Sequence, residues 1–360
     1  MLMGDAGTRK STAIKIASSV LRKSGYTNIA AERTTKEKFL LDLAGESGVE
    51  AEDAGSILDA NLWGESGSGS AELFVAADEF NTFVGNGNIE FLSMLGVLWD
   101  YEGTFSNRVK NSKSIEITDP TVSILAGNTP TGFSLAFPIE AIGQGIFSRI
   151  ILVHGERTGR KITFPEPPSL EATSNLVQLI QAVKLVANGK AEVTQNARSA
   201  LDRIYQQWQG VGDVRFDSYS NRRFTHLLKL CLIVSAASLR AQITESDVIY
   251  ANTILTHAEH TMPKALGEFG KSKNSDVAHK ILSFIEKGVA VVPRKAIWKQ
   301  VHNDLDSMSH LGDILNNLVL ADKIMSVPGG YLPKRKVLEE RSDELVDFSL
   351  LTEEERSYVT

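Results

Sequence analysis

Residues Gly4-Asp5-Ala6-Gly7-Thr8-Arg9-Lys10-Ser11-Thr12 have the types and spacing that hold a polyphosphate. Glycines let backbone N–H groups wrap around an anion, and a helix starting here points its positive end at it. Lys10 would reach the β- and γ-phosphates, and the Ser11 hydroxyl would ligate Mg²⁺. The usual spacing G-x-x-x-x-G-K-[ST] asks for glycine where this chain has Arg9.

Three segments further along end in residues that suit the same chemistry. Leu73-Phe74-Val75-Ala76-Ala77 reads as a buried parallel strand and is followed by Asp78-Glu79. Asp78 would hold Mg²⁺ through water, and Glu79 would orient and deprotonate an attacking water. The bland alternative for the pair is a solvated turn. A second buried strand, Thr121 to Gly127, ends in Asn128 before Thr129-Pro130. Its amide would position the water, unless it is simply a turn-forming asparagine. Gly145-Ile146-Phe147-Ser148-Arg149 precedes the apolar strand Ile150 to Val153. Arg149 would neutralise charge on a transferring phosphoryl group, or else pair a local carboxylate on the surface.

In this order the four elements resemble the AAA+ ATPases. More narrowly, they resemble the helicase-type ATPases of phages and mobile elements that often accompany a primase-polymerase, including a family long labelled only as a domain of unknown function. Thr-Arg-Lys-Ser at 8–11, Gly-Asn-Thr-Pro at 127–130 and Gly-Ile-Phe-Ser-Arg-Ile at 145–150 carry the likeness, which spans roughly residues 1–270. The resemblance implies ATP and Mg²⁺ as cofactors. It also implies a homo-oligomeric ring, of hexameric type, in which one subunit lends its arginine to the next. By it, Lys10, Ser11, Asp78, Glu79, Asn128 and Arg149 take the family's Walker, sensor and finger roles. Single-stranded or duplex DNA and a primase or other replication protein are the implied partners.

These residues need a frame, and 360 residues provide two or three domains' worth of core. A composition of 42% hydrophobic and 23% charged residues is ordinary for a globular chain. No apolar run reaches eighteen residues, which argues against a membrane span, and no signal peptide is visible. The lone Cys231 sits in an apolar stretch and reads as core packing in a reducing cytoplasm, the host's if the chain is phage-encoded. A net charge of −6 argues against a nucleic-acid-coated protein but leaves room for a local basic channel.

The expected fold is α/β: a P-loop NTPase (AAA+-like) parallel sheet core, a helical lid and a C-terminal winged-helix-like domain. The expected boundaries are 1–167 for the core, 168–272 for the lid, 273–335 for the winged helix and 336–360 for a charged, loosely ordered tail. Only Met1-Leu2-Met3 precede Gly4, and three residues reach at most about 11 Å. The first strand is therefore very short, or upstream sequence is missing; the latter is the expectation. Residues 12–23 read as an amphipathic helix, 63–70 as a flexible Gly/Ser loop and 89–100 as a sheet-packing helix. Pro165-Glu166-Pro167-Pro168 reads as a stiff break, and 169–270 as helices. In 277–333, three helices precede a hairpin turning at Pro328-Gly329-Gly330. Its third helix carries Asp313 and Asn316 and no Lys or Arg, so a protein contact competes with DNA there.

Two basic features remain. Residues 105–117 alternate on either side of an Asn-Ser turn and read as a hairpin. It resembles the channel hairpin of superfamily 3 and MCM-type helicases, so Arg108, Lys110 and Lys113 would contact DNA phosphates. The bland alternative is a solvated hairpin. Arg222 and Arg223 begin a lid helix; one of them, with Arg223 favoured, would reach the γ-phosphate as a second sensor, the alternative being a helix-start salt bridge. His257 and His260 lack a third metal ligand nearby and read as a helix face. The expected activity is Mg-ATP hydrolysis by a ring that moves or unwinds DNA. The alternatives are an AAA+ loader or protein remodeller, and a non-catalytic scaffold assembled by nucleotide.

Overall fold

The computed structural model describes residues 1–45, 71–108, 114–138, 145–157, 162–164, 167–267, 277–278, 280–282, 284–285, 291–305, 307–320, 323–333 and 345–351. Two compact units emerge: residues 1–269 with 344–360, and residues 270–343.

The first unit is α/β, with four parallel strands flanked by helices. Strand β1 is only Leu2–Met3, and helix α1 (Lys10–Lys23) follows the loop after it. Helix α2 (Lys36–Leu43) starts at Thr35, whose side chain accepts from Lys38 N. Strand β2 is Glu72–Ala77, followed by the short helix α3 (Phe80–Val84) and by α4 (Ile89–Leu98). Strands β3 (Thr104–Asn107) and β4 (Ile115–Thr118) form the antiparallel hairpin expected near 105–117. Strand β5 is Thr121–Asn128, and α5 (Pro130–Ala136) starts on a Thr129 cap with Pro130 in its first turn. Strand β6 is Val153–His154.

The sheet order is β2-β5-β1-β6. Strand β1 lies between partners on both sides. Leu2 faces Gly127 and Val153, and Met3 faces Asn128 and His154. Sheet burial is uneven: β2 buries Leu73, Val75 and Ala77 in alternation, and β5 is buried only over residues 126–128. The run of apolar residues in β2 therefore does not mean burial on both faces. Ile29 bridges Phe74 in parallel at the outer edge of β2.

Behind the strand ends runs a chain of buried aromatic rings. Phe39 meets Phe83 and Phe91; Phe80 stacks on Phe137, which stacks on Phe133; Phe133 meets Phe147, and Phe147 meets Phe216. Such pairs contribute about 0.5–1.5 kcal/mol each beyond their burial. Phe80 follows Glu79 and Phe147 lies two residues before Arg149, so this packing fixes both polar positions.

Helices complete the unit: α6 (Leu170–Val186), α7 (Gln195–Gln207), α8 (Asp217–Ser220), α9 (Arg223–Ala237) and α10 (Glu245–Leu266). A two-residue parallel pair, β7 (Glu192–Val193) with β8 (Gln242–Ile243), was not legible in the helical reading of this region. Residues 345–351 also belong here. Leu345 is buried, Asn252 Nδ2 donates to Leu345 O at 2.9 Å, and Asp347 N donates to Thr253 Oγ1 at 3.0 Å. This part of the expected loose tail is thus fastened to α10. The rest of it, like the Gly/Ser loop at 63–70, lies outside the described residues.

The second unit has helical residues within 277–285, then α11 (Arg294–Val301), α12 (Met308–Leu320) and an antiparallel hairpin of β9 (Ile324–Val327) and β10 (Gly330–Pro333). Its core gathers Ile281, Ile297, Val301, Leu311, Leu315 and Ile324. Gly330 is required at the turn: a Cβ there would stand 2.2 Å from Val292 O. Among the described residues, no helix of the chain is long and apolar enough to cross a membrane.

Candidate functional site

In open parallel sheets, ligands settle outside the carboxyl ends of the strands. Here four loops meet at that edge, following β1, β2, β5 and β6. The loop after β1 makes its turn with positive φ at Gly4 (153°), Gly7 (85°) and Arg9 (63°). The glycine that the phosphate-loop spacing asks for at position 9 has a physical basis, since this backbone is left-handed. Arg9 occupies it at the steric cost that L residues bear there.

Gly4 is constrained twice. A Cβ would lie 2.4 Å from Gly155 O, which belongs to the segment leaving β6, and 3.1 Å from Thr8 Oγ1. Gly4→Ala is expected to cost roughly 2–4 kcal/mol, because the Gly155 backbone and the Thr8 hydroxyl must both give way and φ is unfavourable. Thermal unfolding checks this against Gly45→Ala, where φ is 70° and nothing lies within 4 Å. Equal losses at the two positions would mean that the loop does not approach Gly155 so closely.

Lys10 opens α1 and turns back into the loop. Its Nζ donates to Gly4 O at 2.7 Å, Asp5 O at 2.8 Å and Thr8 Oγ1 at 3.1 Å. Burial lowers its pKa from the ordinary lysine value, while the charges of Asp5 and Glu79 act to raise it. Ala6, Gly7, Arg9, Lys10, Ser11 and Thr12 line a cleft of about 420 Å³, closed on the other side by Asp78, Glu79, Asn128 and Thr129. Residues far apart in sequence are brought together there. Asp78 Oδ2 lies 3.7 Å from Lys15 Nζ. Glu79 Oε2 accepts from Thr82 Oγ1 at 3.3 Å. Asn128 is 2% exposed; its Oδ1 accepts from Thr129 N at 3.0 Å, while its buried Nδ2 has no partner. An unpaired buried amide costs about 1–3 kcal/mol until an acceptor reaches it. Gly127 and Gly132 make the close approach possible. A Cβ on Gly127 would meet Asp78 O at 2.7 Å, and one on Gly132 would meet Asn128 Oδ1 at 2.2 Å.

Arg149 is placed elsewhere and does not line this cleft. It sits in a tight turn (Phe147–Arg149), donates to Gly145 O, and its Cζ lies 5.7 Å from the centre of the Trp99 ring. Its buried Nε has no partner, and burial followed by the nearby Arg222 charge lowers its pKa. Lys229 Nζ covers Trp99 at 3.9 Å, so a cationic cluster surrounds one indole. His226 anchors the turn: its Nε2 lies 3.0 Å from Ser148 O, and its ring packs between Trp99 and Tyr219.

Burial pushes the His226 pKa down to about 4. The unfolded chain takes up this proton near pH 6.5, whereas the folded chain does not until about pH 4. Stability is therefore full above pH 6.5 and falls by about 3 kcal/mol as the pH drops through that window. Unfolding midpoints at pH 7.5 and 5 should show this slope in wild type and a smaller one in His226→Gln. An equal slope in both would assign it to another group.

Arg223 is not brought to the cleft either. It is 3% exposed; its Nε pairs with Glu259 Oε1 at 2.8 Å, its Nη2 donates to Asn252 Oδ1 at 2.9 Å, and its guanidinium lies 4.0 Å from the Trp208 ring centre. The helix-start salt bridge is thus what the structure places at this residue, buried rather than on the surface. The spacing carried a signal, since Arg223, Leu227, Cys231 and Ser235 recur every four residues and form the buried face of α9. Arg108 pairs with Glu116 at 3.5 Å beside the hairpin, whereas Lys110 and Lys113 lie outside the described residues.

One residue that the motifs did not single out touches the loop. Arg157 Nη2 donates to Ala6 O at 2.7 Å. Its only sequence signal is its place shortly after the strand that flanks β1. Among the described residues, no group of three or more His, Cys, Asp or Glu side chains could hold a metal ion. The donors that do meet in the cleft, the Ser11 hydroxyl and the Asp78 carboxylate, are hard oxygens. They fit Mg²⁺, which typically takes one or two carboxylates and completes its shell with water and phosphate oxygens. Compared with known proteins, the chain matches no protein-family model and no curated protein sequence.

Proposed function

We propose that this chain is a Mg-ATP-dependent P-loop ATPase of the AAA+ type. The observation that carries the reading is the convergence of Lys10, Ser11, Asp78, Glu79 and Asn128, from three separate strand ends, on one cleft at the carboxyl edge of a parallel sheet. In this reading the loop amides and Lys10 bind the β- and γ-phosphates, and Ser11 and Asp78 hold Mg²⁺. The metal supplies charge neutralisation on the phosphate oxygens. Glu79 accepts the proton of the attacking water, and the unpaired Asn128 Nδ2 offers a donor beside it. Arg149, outside its own cleft, serves a neighbouring subunit's site, which makes activity depend on a homo-oligomeric ring.

The energy is used, in this proposal, to translocate along or unwind DNA. The β3–β4 hairpin and a winged-helix-like second unit support the DNA reading, with the destination resting on resemblance. A loader or protein remodeller is the second reading. It is favoured by α12, which exposes Asp313, Asn316 and Asn317 and carries no Lys or Arg. ATP hydrolysis by the wild type and Lys10→Ala, each with and without single-stranded DNA, tests both. Hydrolysis that needs Lys10 and rises with DNA supports the motor. Hydrolysis indifferent to DNA favours the remodeller, and no hydrolysis by an oligomeric wild type sinks the ATPase.

A further inference from the structure

We infer that Arg157 is a nucleotide-positioning residue that holds the phosphate loop from the β6 side and contacts the α-phosphate end of the ligand; this rests on the ATPase reading above. Sheet order sets the direction. Asp78, Glu79 and Asn128 follow β2 and β5, on one side of β1, whereas Gly155 to Arg157 follow β6, on the other. A triphosphate lying across the loop with its γ end at Glu79 and Asn128 must direct its α-phosphate and nucleoside toward β6.

Arg157 stands on that side, against the loop at Ala6 and Gly7 and outside the cleft's own lining. The segment is locked to β1, because Gly155 N donates to Met3 O at 2.8 Å. From there the guanidinium reaches over the loop. Nη2 bonds Ala6 O at 2.7 Å, and the group lies 3.5–3.9 Å from where a Gly7 Cβ would be. Holding the Ala6 carbonyl fixes one peptide of the loop. Among the described residues this is the only hydrogen bond Arg157 makes, and it uses one of five N–H donors. The others remain for a phosphate oxygen, to which a fork of donors binds well. A Cβ at Gly7 would sit in ordinary contact with the guanidinium, so it is the left-handed backbone (φ 85°) that asks for glycine there.

A contact at the α end is made equally to ground state and transition state, so it changes affinity and not turnover. In the full-length protein, Arg157→Ala is expected to raise the Kd of ADP and ATP by the same factor, about tenfold for one charge-assisted hydrogen bond. The kcat at saturating ATP should stay at the wild-type value, and the unfolding temperature without nucleotide should fall by no more than about 4 °C, the share of one exposed hydrogen bond to Ala6 O. Arg157→Lys should recover part of the affinity. Unchanged affinity overturns the inference, as does a loss confined to ATP, which would place Arg157 at the γ end. A fall in ligand-free stability that accounts for the weaker binding also overturns it, leaving Arg157 as a loop staple alone. Wild-type protein that binds neither nucleotide would sink the ATPase reading together with this one. Wild-type binding that Lys10→Ala abolishes and Arg157→Ala leaves intact would sink only the role of Arg157.

Discussion

Glu79→Gln is expected to slow ATP hydrolysis by about 10²–10⁴-fold while leaving nucleotide bound. The size follows from the role. Among the cleft residues, Glu79 is the carboxylate at the end of β2 whose charge acts on Lys10, and it starts α3 from an extended backbone (φ −133°, ψ 109°). Phe80, 1% exposed and stacked on Phe137, holds the backbone there. Glutamine is close in shape and can still accept from Thr82 Oγ1, but it cannot take a proton from water. Lys10→Ala should instead lose binding, because the ammonium proposed to meet the phosphates is gone. Single-turnover hydrolysis and nucleotide titration on the same samples separate the two effects. If Glu79→Gln turns over within threefold of wild type, another group is the base, and Asp78 becomes the residue to change.

Arg223→Leu should produce the largest loss of stability, about 3–5 kcal/mol, equivalent to roughly 10 °C in the unfolding of the first unit. The cause is what it leaves behind. Glu259 is 6% exposed, and its Oε1 accepts from both Arg223 Nε and Tyr219 Oη (2.7 Å), while Oε2 has no partner. Burial already raises its pKa. Without Arg223 the carboxylate has no countercharge and must be protonated or bring in water. The double variant Arg223→Leu/Glu259→Leu should recover most of the loss, since a buried pair replaced by apolar groups is often neutral. A single variant as stable as wild type would show that this network does not hold α9 to α10. A folded Arg223→Leu that loses ATP hydrolysis but not stability would return Arg223 to the role of second sensor.

The elements that carry the candidate positions were legible in sequence because their signals are local. Apolar runs that stop at Asp78-Glu79 and at Asn128 mark strand ends, and a lysine-serine pair after two glycines marks a loop opening into a helix. The helix starts at Thr35, Asn88, Thr129 and Thr194 are likewise written in caps, each accepting from a backbone N–H within its own first turn. The hairpin at 324–333 follows from its turn residues.

Other features depend on neighbours that no local window contains. That β1 pairs with both β5 and β6 is decided by segments far along the chain. Arg222 and Arg223 are adjacent and chemically alike, yet only the packing of α9 against α10 turns one inward to Glu259 and leaves the other near Arg149. The exposed Leu232 and Ile233 on the same helix blur its buried face. Arg157 meets Ala6 across 151 positions of chain, a contact set by sheet order alone. Sequence by itself determined which residues could do chemistry and which element each would end or begin, because capping, turns and periodicity act over a few residues. Only the tertiary structure decided which of them share a cleft and which are spent on the core, because burial and strand order are set by contacts between distant segments.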